Sequence, residues 1–392
     1  MPATGRSYIV AGAGIAGMTL ALALAKFGAS VTVLERSPVP HEFGAGLQIS
    51  PNARHALDRL GLGEAIARAS LEPAALDTYP QGSQAPGVSM ELGAIMRERF
   101  GAPYAVMHRA DLADVLYKAC RRFANIDILF GVGNWTVASH EKGVTVTIGE
   151  ADGSSRTARA HAFVGADGVH STTRRAILGG PEAVFGHRIA WRSLVPADLV
   201  LGQIAPDRVS VFFGSGFHLV CYPLPHRGQV NLALFMPGRS PETGGQPRPV
   251  RPGPRVDVIM AAAGQEWTPW PLFTVETPDW HRGNVGLIGD AAHAMVPFQA
   301  QGAAMGIEDA EALAPLLAGS DTAERAFARY AALRQQRVRR VATLSARNGR
   351  IFHLGWPANL ARDTVMKLQG PRAHLRRLGW VYGYRPGEGS TG

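Results

Sequence analysis

Apolar and polar positions divide the chain into a succession of short elements. SYIVAG, from Ser7, is an apolar run closed by glycine, the pattern of a buried strand. GAGIAGMTLALALAKFG predicts a glycine turn and then a helix rich in Ala and Leu, and ASVTVLER predicts a second strand ending in charge. Strand, helix and strand in that order form a β-α-β unit, whose parallel strands require the crossover helix. Pro51 opens a helix over PNARHALDRLG, and PQGSQAPG at 80–87 reads as a loop. Arg109 to Phe123 has helical spacing, with Leu112, Val115, Leu116 and Ala119 on one side. IDILF and TVTI read as strands, and ARAHAFVGADG predicts one strand that stops at Asp167.

From Phe185 to Phe235 the pattern becomes alternating and aromatic, through FGHRIAWRSLV, RVSVFF, FHLVCYPL and QVNLALF. Alternation of this kind predicts antiparallel strands and a second domain. Gly238 to Arg255 carries five prolines and four glycines and reads as a flexible linker. The chain returns through WPLFTVE to a strand at VGLIGD, ending on Asp290. Helices fill the rest from about Gly302, with a Gly/Pro break near 355–357. The fold class expected is α/β: a Rossmann-like domain, an inserted, mostly antiparallel β-sheet domain, and C-terminal helices. Its boundaries are 1–75, 101–180 and 281–320 for the first domain, 76–100 and 181–280 for the second, and 321–392 for the C-terminal helical region.

Composition narrows the class. The chain has 392 residues, 46% apolar and 18% charged, as expected of a folded protein with more than one domain. It has no run of 18 apolar residues, and its N-terminus lacks a signal-peptide layout, so a cytoplasmic location away from membranes is the expectation. Cys120 and Cys221 are far apart, without a CxxC, and no His/Cys/Asp cluster suggests a metal. The net charge is +9. From Ala331 onward twelve Arg or Lys stand against two acids, which predicts a solvated basic face on the last helices. No nucleic-acid-binding module accompanies it.

Three motifs carry chemistry. Gly12, Gly14 and Gly17 complete GxGxxG between a strand and a helix, with Ile15 and Ala16 inside it. The first glycine makes the tight turn, the second admits a pyrophosphate to the backbone, and the third lets helix and strand pack closely. Phosphates then face a helix N-terminus. Glu35 stands where a carboxylate accepts from ribose hydroxyls, and Arg36 follows it. The fingerprint alone leaves NAD and FAD both open, and there is no second copy of it. GADGVHSTTRR, from Gly165, follows another apolar strand; Ser171 can cap the next helix, and Arg174 lies one turn inside it. VGLIGDAAHAMVPFQAQGAAMG, from Val285, ends a strand on Asp290, and a carboxylate buried there would need partners.

These three motifs, in this order, resemble those of the single-component FAD aromatic hydroxylases of the para-hydroxybenzoate hydroxylase type. HRADLADVLYKA at 108–119 and WVYGY at 380–384 extend the resemblance over nearly the whole chain. Within the family the chain is most similar in look to salicylate hydroxylase and 6-hydroxynicotinate 3-monooxygenase. The resemblance implies bound FAD, NADH or NADPH as transient reductant, and dioxygen as co-substrate. Hydroxylation of an aromatic ring would proceed through a C4a-hydroperoxide of the reduced flavin. It implies that Asp290 contacts the ribityl chain. It also implies that Ala300, Gly302, Ala303 and Ala304 let the flavin ring lie near the backbone, at a helix N-terminus that favours the reduced anion. Pro297 would lie on the oxygen side of the ring. Asp167 falls near the pyrophosphate, Arg109 near the FAD phosphate or ribose, and Gly46 and Leu129 among the remaining FAD contacts.

The segment FGAGLQISPNA and the second domain would supply the substrate pocket. Gln48 stands where the nicotinate enzyme carries a histidine proposed as base; Gln takes no proton at neutral pH, so salicylate hydroxylase is the better match there. His218 and Tyr222, four apart on one strand, face the same side and match polar positions of the nicotinate enzyme's pocket. They are the candidate catalytic residues, with Pro297. Arg192 is a candidate partner for a substrate carboxylate, and Phe298 a candidate apolar wall. The expected partner is a small aromatic molecule, and the expected assembly a monomer or homodimer. Two alternatives stay open: a larger polycyclic or heterocyclic substrate, and a flavin-binding redox or interaction protein that does not hydroxylate.

Overall fold

The computed structural model describes residues 3–39, 46–149, 153–242 and 244–386. A six-stranded sheet forms the first layer. It comprises β1 (Ser7–Ala11), β2 (Ser30–Leu34), β8 (Ile126–Leu129), β12 (Ala162–Gly165), β18 (His281–Arg282) and β19 (Val285–Leu287). Their order is β18-β19-β12-β1-β2-β8, and only β18 runs antiparallel to its neighbour. The crossover helix α1 (Ile15–Lys26) is buried along most of its length because α8 (Gly302–Gly319) covers it on the far side. This explains why α1 is apolar all round and lacks a polar face.

A seven-stranded sheet forms the second layer. It contains β5 (Ala75–Tyr79), β6 (Val88–Glu91), β13 (Val184–Pro196), β14 (Arg208–Gly214), β15 (Phe217–Leu224), β16 (Gln229–Pro237) and β17 (Thr268–Thr274), in the order β17-β13-β16-β15-β14-β5-β6. Every pairing is antiparallel except β14 with β5. Two three-stranded sheets complete the strands. One is β9 (Trp135–His140), β10 (Gly143–Gly149) and β11 (Ser155–Ala160); the other is β3 (Gly46–Ile49), β4 (Ser70–Leu71) and β7 (Ala105–His108), with β7 central. The remaining helices are α2 (Pro51–Arg59), α3 (Gly63–Arg68), α4 (Gly93–Phe100), α5 (Arg109–Cys120), α6 (Pro254–Ala263), α7 (Asp290–His293), α9 (Ala323–Phe352), α10 (Ala358–Arg377) and α11 (Gly379–Tyr382).

Several expectations need correction. The single strand expected at ARAHAFVG is two strands in different sheets: β11 pairs with β10, and after His161 the chain joins the main sheet as β12. Only His161 separates the two strands, with no glycine or proline to mark the break. The Pro/Gly linker is shorter than expected, because Pro254 sits at the first turn of α6. The strand at VGLIGD ends at Leu287, since Gly289 takes φ +59° and turns the chain into α7. The basic face is only partly solvated: Arg334, Arg337 and Arg362 are buried. Among the described residues no helix is long and apolar enough to cross a membrane.

Candidate active site

A cavity of about 1420 Å³ runs from the C-terminal ends of β1 and β2 to the face of the seven-stranded sheet. Single-ligand sites usually occupy about 300–1,000 Å³, so this one has room for a cofactor and a second molecule. Its first end is the glycine turn. Gly12 has φ +103°, and a Cβ there would lie 2.4 Å from the carbonyl oxygen of Ala166. A Cβ on Gly17 would lie 2.0 Å from the carbonyl of Gly12, so Gly17 serves packing and does not line the cavity. Gly14, Ile15 and Ala16 do line it, at the open N-terminus of α1.

Glu35 follows β2 directly. Its carboxylate accepts the N–H of Ala13 and that of Ser37, each at 2.8 Å. It thereby braces the glycine turn while remaining on the cavity wall. Arg36 is exposed at the rim. Leu129 contributes its backbone, accepting from the Glu35 N–H at 2.8 Å; its side chain packs under the three-stranded sheet and is not part of the lining. Gly133 and Trp135, absent from the sequence-based set, do line this end. Arg109 begins α5 and reaches the cavity.

The second motif is tied to the third. Asp167 accepts from the Ser171 hydroxyl (2.6 Å) and from the N–H and hydroxyl of Thr173 (2.9 and 3.1 Å). Ser171 in turn caps the following turn by accepting from the Arg174 N–H at 2.9 Å. Arg174 is fully buried and donates to the carbonyls of Pro181, Val169 and Ala291. The last of these lies in α7, so Arg174 fixes the two loops against each other.

Asp290 is exposed on the cavity wall, contrary to the buried carboxylate expected at this strand end. The carboxylates inaccessible to solvent among the described residues are Glu308 and Asp309 of α8. One Asp309 oxygen accepts from the Gly289 N–H (2.9 Å) and His293 Nε2 (2.6 Å); the other accepts from Arg334 Nε (2.8 Å). Burial raises the Asp309 pKa, but His293 and Arg334 outweigh it and hold the carboxyl well below the usual range. Glu308 accepts from Asn52, Arg334 and Arg337, and Arg337 also donates to the carbonyls of Trp380 and Val381. The closing WVYGY segment is therefore held by the same ionic network as the Gly289 loop.

The small residues beyond Asp290 have two jobs. Ala16, Gly289 and Gly306 meet where α1, the loop before α7 and α8 cross; a Cβ on Gly306 would lie 2.9 Å from that of Ala16. Ala300, Gly302 and Ala303 line the cavity, and a Cβ on Gly302 would meet nothing within 4 Å. Ala304 points instead into the main core, 1% exposed, so it is not part of the flavin face. Ala300 has φ +54°, uncommon for a residue with a side chain. This turn, with Pro297 and Phe298 on the lining, is strained.

The far end of the cavity is built on β13, β15 and β16. His218 and Tyr222 both line it and both are buried. The Tyr222 ring lies against Gly46, where any Cβ would be 1.9 Å from its oxygen, and Asn231 accepts from the Gly46 N–H at 2.6 Å. Gln48 accepts from the Tyr104 hydroxyl, a partner the sequence did not indicate. Phe43 to Ala45, also expected in the pocket, lie outside the described residues. Arg192 stacks over Trp270 at 5.4 Å, and its Nε has no partner among the described residues. Burial, with the nearby Arg109 charge, pulls its pKa down to about 10. Burial pushes the Tyr222 hydroxyl up, with Arg192 drawing it partly back. His218 is stacked on Phe235, with Phe298 and Phe352 edge-on around it. Burial, then the neighbouring His353, Arg188 and Arg362, hold its pKa well below the ordinary value.

The glycine cradle, the facing N-termini of α1 and α8, and the exposed Asp290 fit an elongated dinucleotide with an anionic centre and hydroxyls to bind. Residues 7–201 and 256–345 match the model of a family described as an FAD binding domain, and the chain belongs to that family. It is an FAD-dependent oxidoreductase of the aromatic monooxygenase type, with the fold expected of that class. Over 388 residues it is 36% identical to 3-amino-4-hydroxybenzoate 2-monooxygenase PtnB3 of Streptomyces platensis, which covers 96% of this chain and 95% of that one. It is 31% identical over 393 residues to 3-hydroxybenzoate 6-hydroxylase of Polaromonas naphthalenivorans (strain CJ2), covering 97% and 96%. A salicylate hydroxylase substrate complex superposes with a TM-score of 0.76 at 24% identity, covering 97% of this chain and 96% of that one.

Proposed function

We propose that the substrate is a phenolic or heteroaromatic carboxylic acid of the salicylate type. NADH or NADPH would be the reductant and dioxygen the co-substrate. The observation that carries this reading is a single cavity joining the glycine turn to an arginine whose Nε has no partner among the described residues, a tyrosine, and a histidine set among phenyl rings. The two hydroxybenzoate enzymes among the relatives act, by name, on rings of this chemistry.

FAD, when bound, supplies the redox chemistry and the activation of dioxygen. Gly12, Gly14, Ile15, Ala16, Glu35, Arg36, Arg109, Asp167 and Asp290 would hold it along one wall, with Gly302 and Ala303 beneath the ring. Leu129 and Gly17 support this set from behind. Arg192 would pair the substrate carboxylate; the partner offsets the cost of burying the guanidinium, which the lowered pKa reflects. Tyr222 and His218 would face the phenol, the hydroxyl as donor and the imidazole as acceptor. Drawing the phenolic proton toward His218 makes the ring carbon more nucleophilic. Phe298, Phe235 and Phe352 keep water from the ring, and Gln48, fixed by Tyr104, sets its edge.

We place the enzyme in the cytoplasm as a monomer or homodimer. A larger polycyclic ring is the second reading, favoured by one observation: the cavity continues beneath α10 to Val365, Met366 and Gln369.

The test is NADH and NADPH oxidation by FAD-loaded protein across phenolic and pyridine carboxylic acids, with mass analysis of products. A compound that accelerates oxidation and gains one oxygen atom establishes the reading. No acceleration by any monocyclic acid, with acceleration by a larger ring, overturns it in favour of the second. No acceleration by either class, with FAD firmly bound, overturns both.

A further inference from the structure

His218 is joined to a residue that neither the sequence motifs nor the family resemblance singled out. His218 Nδ1 lies 2.8 Å from Nε2 of His353, the residue that closes α9. Nδ1 of His353 is itself hydrogen-bonded to the carbonyl oxygen of Gly349, one turn back in the same helix. His353 is 9% exposed and His218 2%, so no solvent intervenes.

The chemistry of the three groups fixes where the protons sit. A carbonyl oxygen only accepts, so the Nδ1 of His353 carries the hydrogen. A neutral imidazole donates from one nitrogen and accepts at the other, so the Nε2 of His353 is a lone pair. Nδ1 of His218 must then be the donor to it, and Nε2 of His218 is left as the acceptor. Nε2 has no hydrogen-bond partner among the described residues, and the ring lines the cavity.

Both rings are held neutral by the surroundings. The charged groups facing the pair are Arg188 of β13 and Arg362 of α10, and Arg362 Nε is engaged by Asp363 at 2.7 Å. Phe235 of β16, Phe298 and Phe352 close the other sides. Burial and then Arg188 hold His353 at about 4, with the Gly349 carbonyl acting the other way. Neutral rings are what the tautomer argument requires.

We propose that His353 is a positioning residue that locks His218 in the tautomer with a bare Nε2, presenting a fixed acceptor to the substrate hydroxyl. One proton moves from the phenol oxygen toward Nε2, the O–H bond breaking as the N–H bond forms, and nothing is oxidised or reduced in that step. The helix end does what a carboxylate does for other catalytic histidines, without placing a negative charge beside the ring. This inference rests on the reading of His218 as the group that meets the substrate hydroxyl.

The experiment has two parts. Long-range 1H–15N spectra of FAD-loaded, substrate-free protein labelled at histidine, with His218→Asn for assignment, read the tautomer directly. The result expected is Nδ1–H on both rings; His218 in the Nε2–H form overturns the proposal whatever the substrate is. Kinetics then compare His353→Leu, which removes the acceptor, with His353→Gln, whose amide oxygen restores it. His353→Leu should lower kcat by about 10- to 100-fold, the range seen when the partner orienting a functional histidine is removed, with KM little changed. It should also abolish the phenolate absorbance expected of the wild type on substrate binding. His353→Gln should recover most of both. Should the leucine variant not fold, failure of the glutamine variant to show the wild-type tautomer and phenolate signal would overturn the proposal by itself. Correct tautomers with no phenol turned over would instead refute the substrate reading and leave the lock standing.

Discussion

Asp309→Asn removes one charge from the most enclosed part of the molecule without changing shape. The wild-type carboxylate accepts three hydrogen bonds, from the Gly289 N–H, His293 and Arg334, and all four groups are buried. An amide has one acceptor oxygen, so its NH2 must face either the Arg334 N–H or the Gly289 and His293 donors. Breaking one partner of a buried charged network costs about 3–5 kcal/mol. For 392 residues unfolding together, at about 2.1 cal/mol/K per residue, that corresponds to roughly 1.2 °C per kcal/mol and a fall in Tm of roughly 4–6 °C. The loop released begins at Gly289, beside Asp290, so FAD affinity should fall with stability. Circular dichroism melts of apo and FAD-loaded protein, with flavin fluorescence to follow release, read both effects. The pH dependence has a definite sign. The Asp309 pKa is depressed in the folded state, so its contribution is fully present above the unfolded value of about 3.9 and is lost as pH falls through the folded one. The wild type should therefore lose stability below about pH 4 more steeply than the variant. A variant melting within 2 °C of wild type, with unchanged FAD release, would refute this account of the network.

Other outcomes follow from single side chains. Asp290→Ala should weaken FAD retention while leaving the apo Tm within about 1 °C, since the residue is exposed; equal FAD affinity in dialysis would remove Asp290 from the cofactor site. Ala300→Gly relieves a left-handed φ of +54° and should stabilise by roughly 0.5–1 kcal/mol, after the entropy lost to glycine, as read from urea unfolding. Arg192→Met should raise KM for carboxylated phenols more than tenfold and leave KM for the corresponding uncharged phenols nearly unchanged. Equal effects on both would mean that Arg192 does not meet a carboxylate.

The parts of the site written as contiguous motifs were readable in advance. The glycine turn, GADG and GDAAH each carry their own geometry within about ten residues, and all three reach the cavity. His218 and Tyr222 were readable too, because strand periodicity alone puts them on one face. What escaped depends on pairing across long separations. His353 reaches His218 only because α9 ends against β15, and Tyr104 reaches Gln48 only because β7 pairs with β3. The Glu308–Asp309 network did leave a trace: two adjacent acids in a helix that apart from them and Glu311 is small or apolar, and two arginines three apart on the next. A carboxylate pair in such a run is costly unless cations are folded onto it. Asp290 closes an apolar run, yet the turn at Gly289 brings it out to the cavity wall. Proximity to an apolar stretch was there a poor guide to burial.

The order of strands in the main sheet has a consequence for biosynthesis. β12, ending at Gly165, is flanked by β1 on one side and by β19, beginning at Val285, on the other. The whole substrate-facing sheet apart from β5 and β6 is encoded between them. At translation rates of about 5–20 residues per second, the outer edge of β12 waits roughly 6–24 s for its partner. During that interval Phe163 and Val164, fully buried at the end, sit on a strand with one row of backbone groups unpaired. α8, which later seals α1, has not yet been made either. The nascent chain thus carries its cofactor-binding half as an open-edged sheet until about three quarters of it has been synthesised, and over that window the bare edge of β12 is a template for wrong pairing.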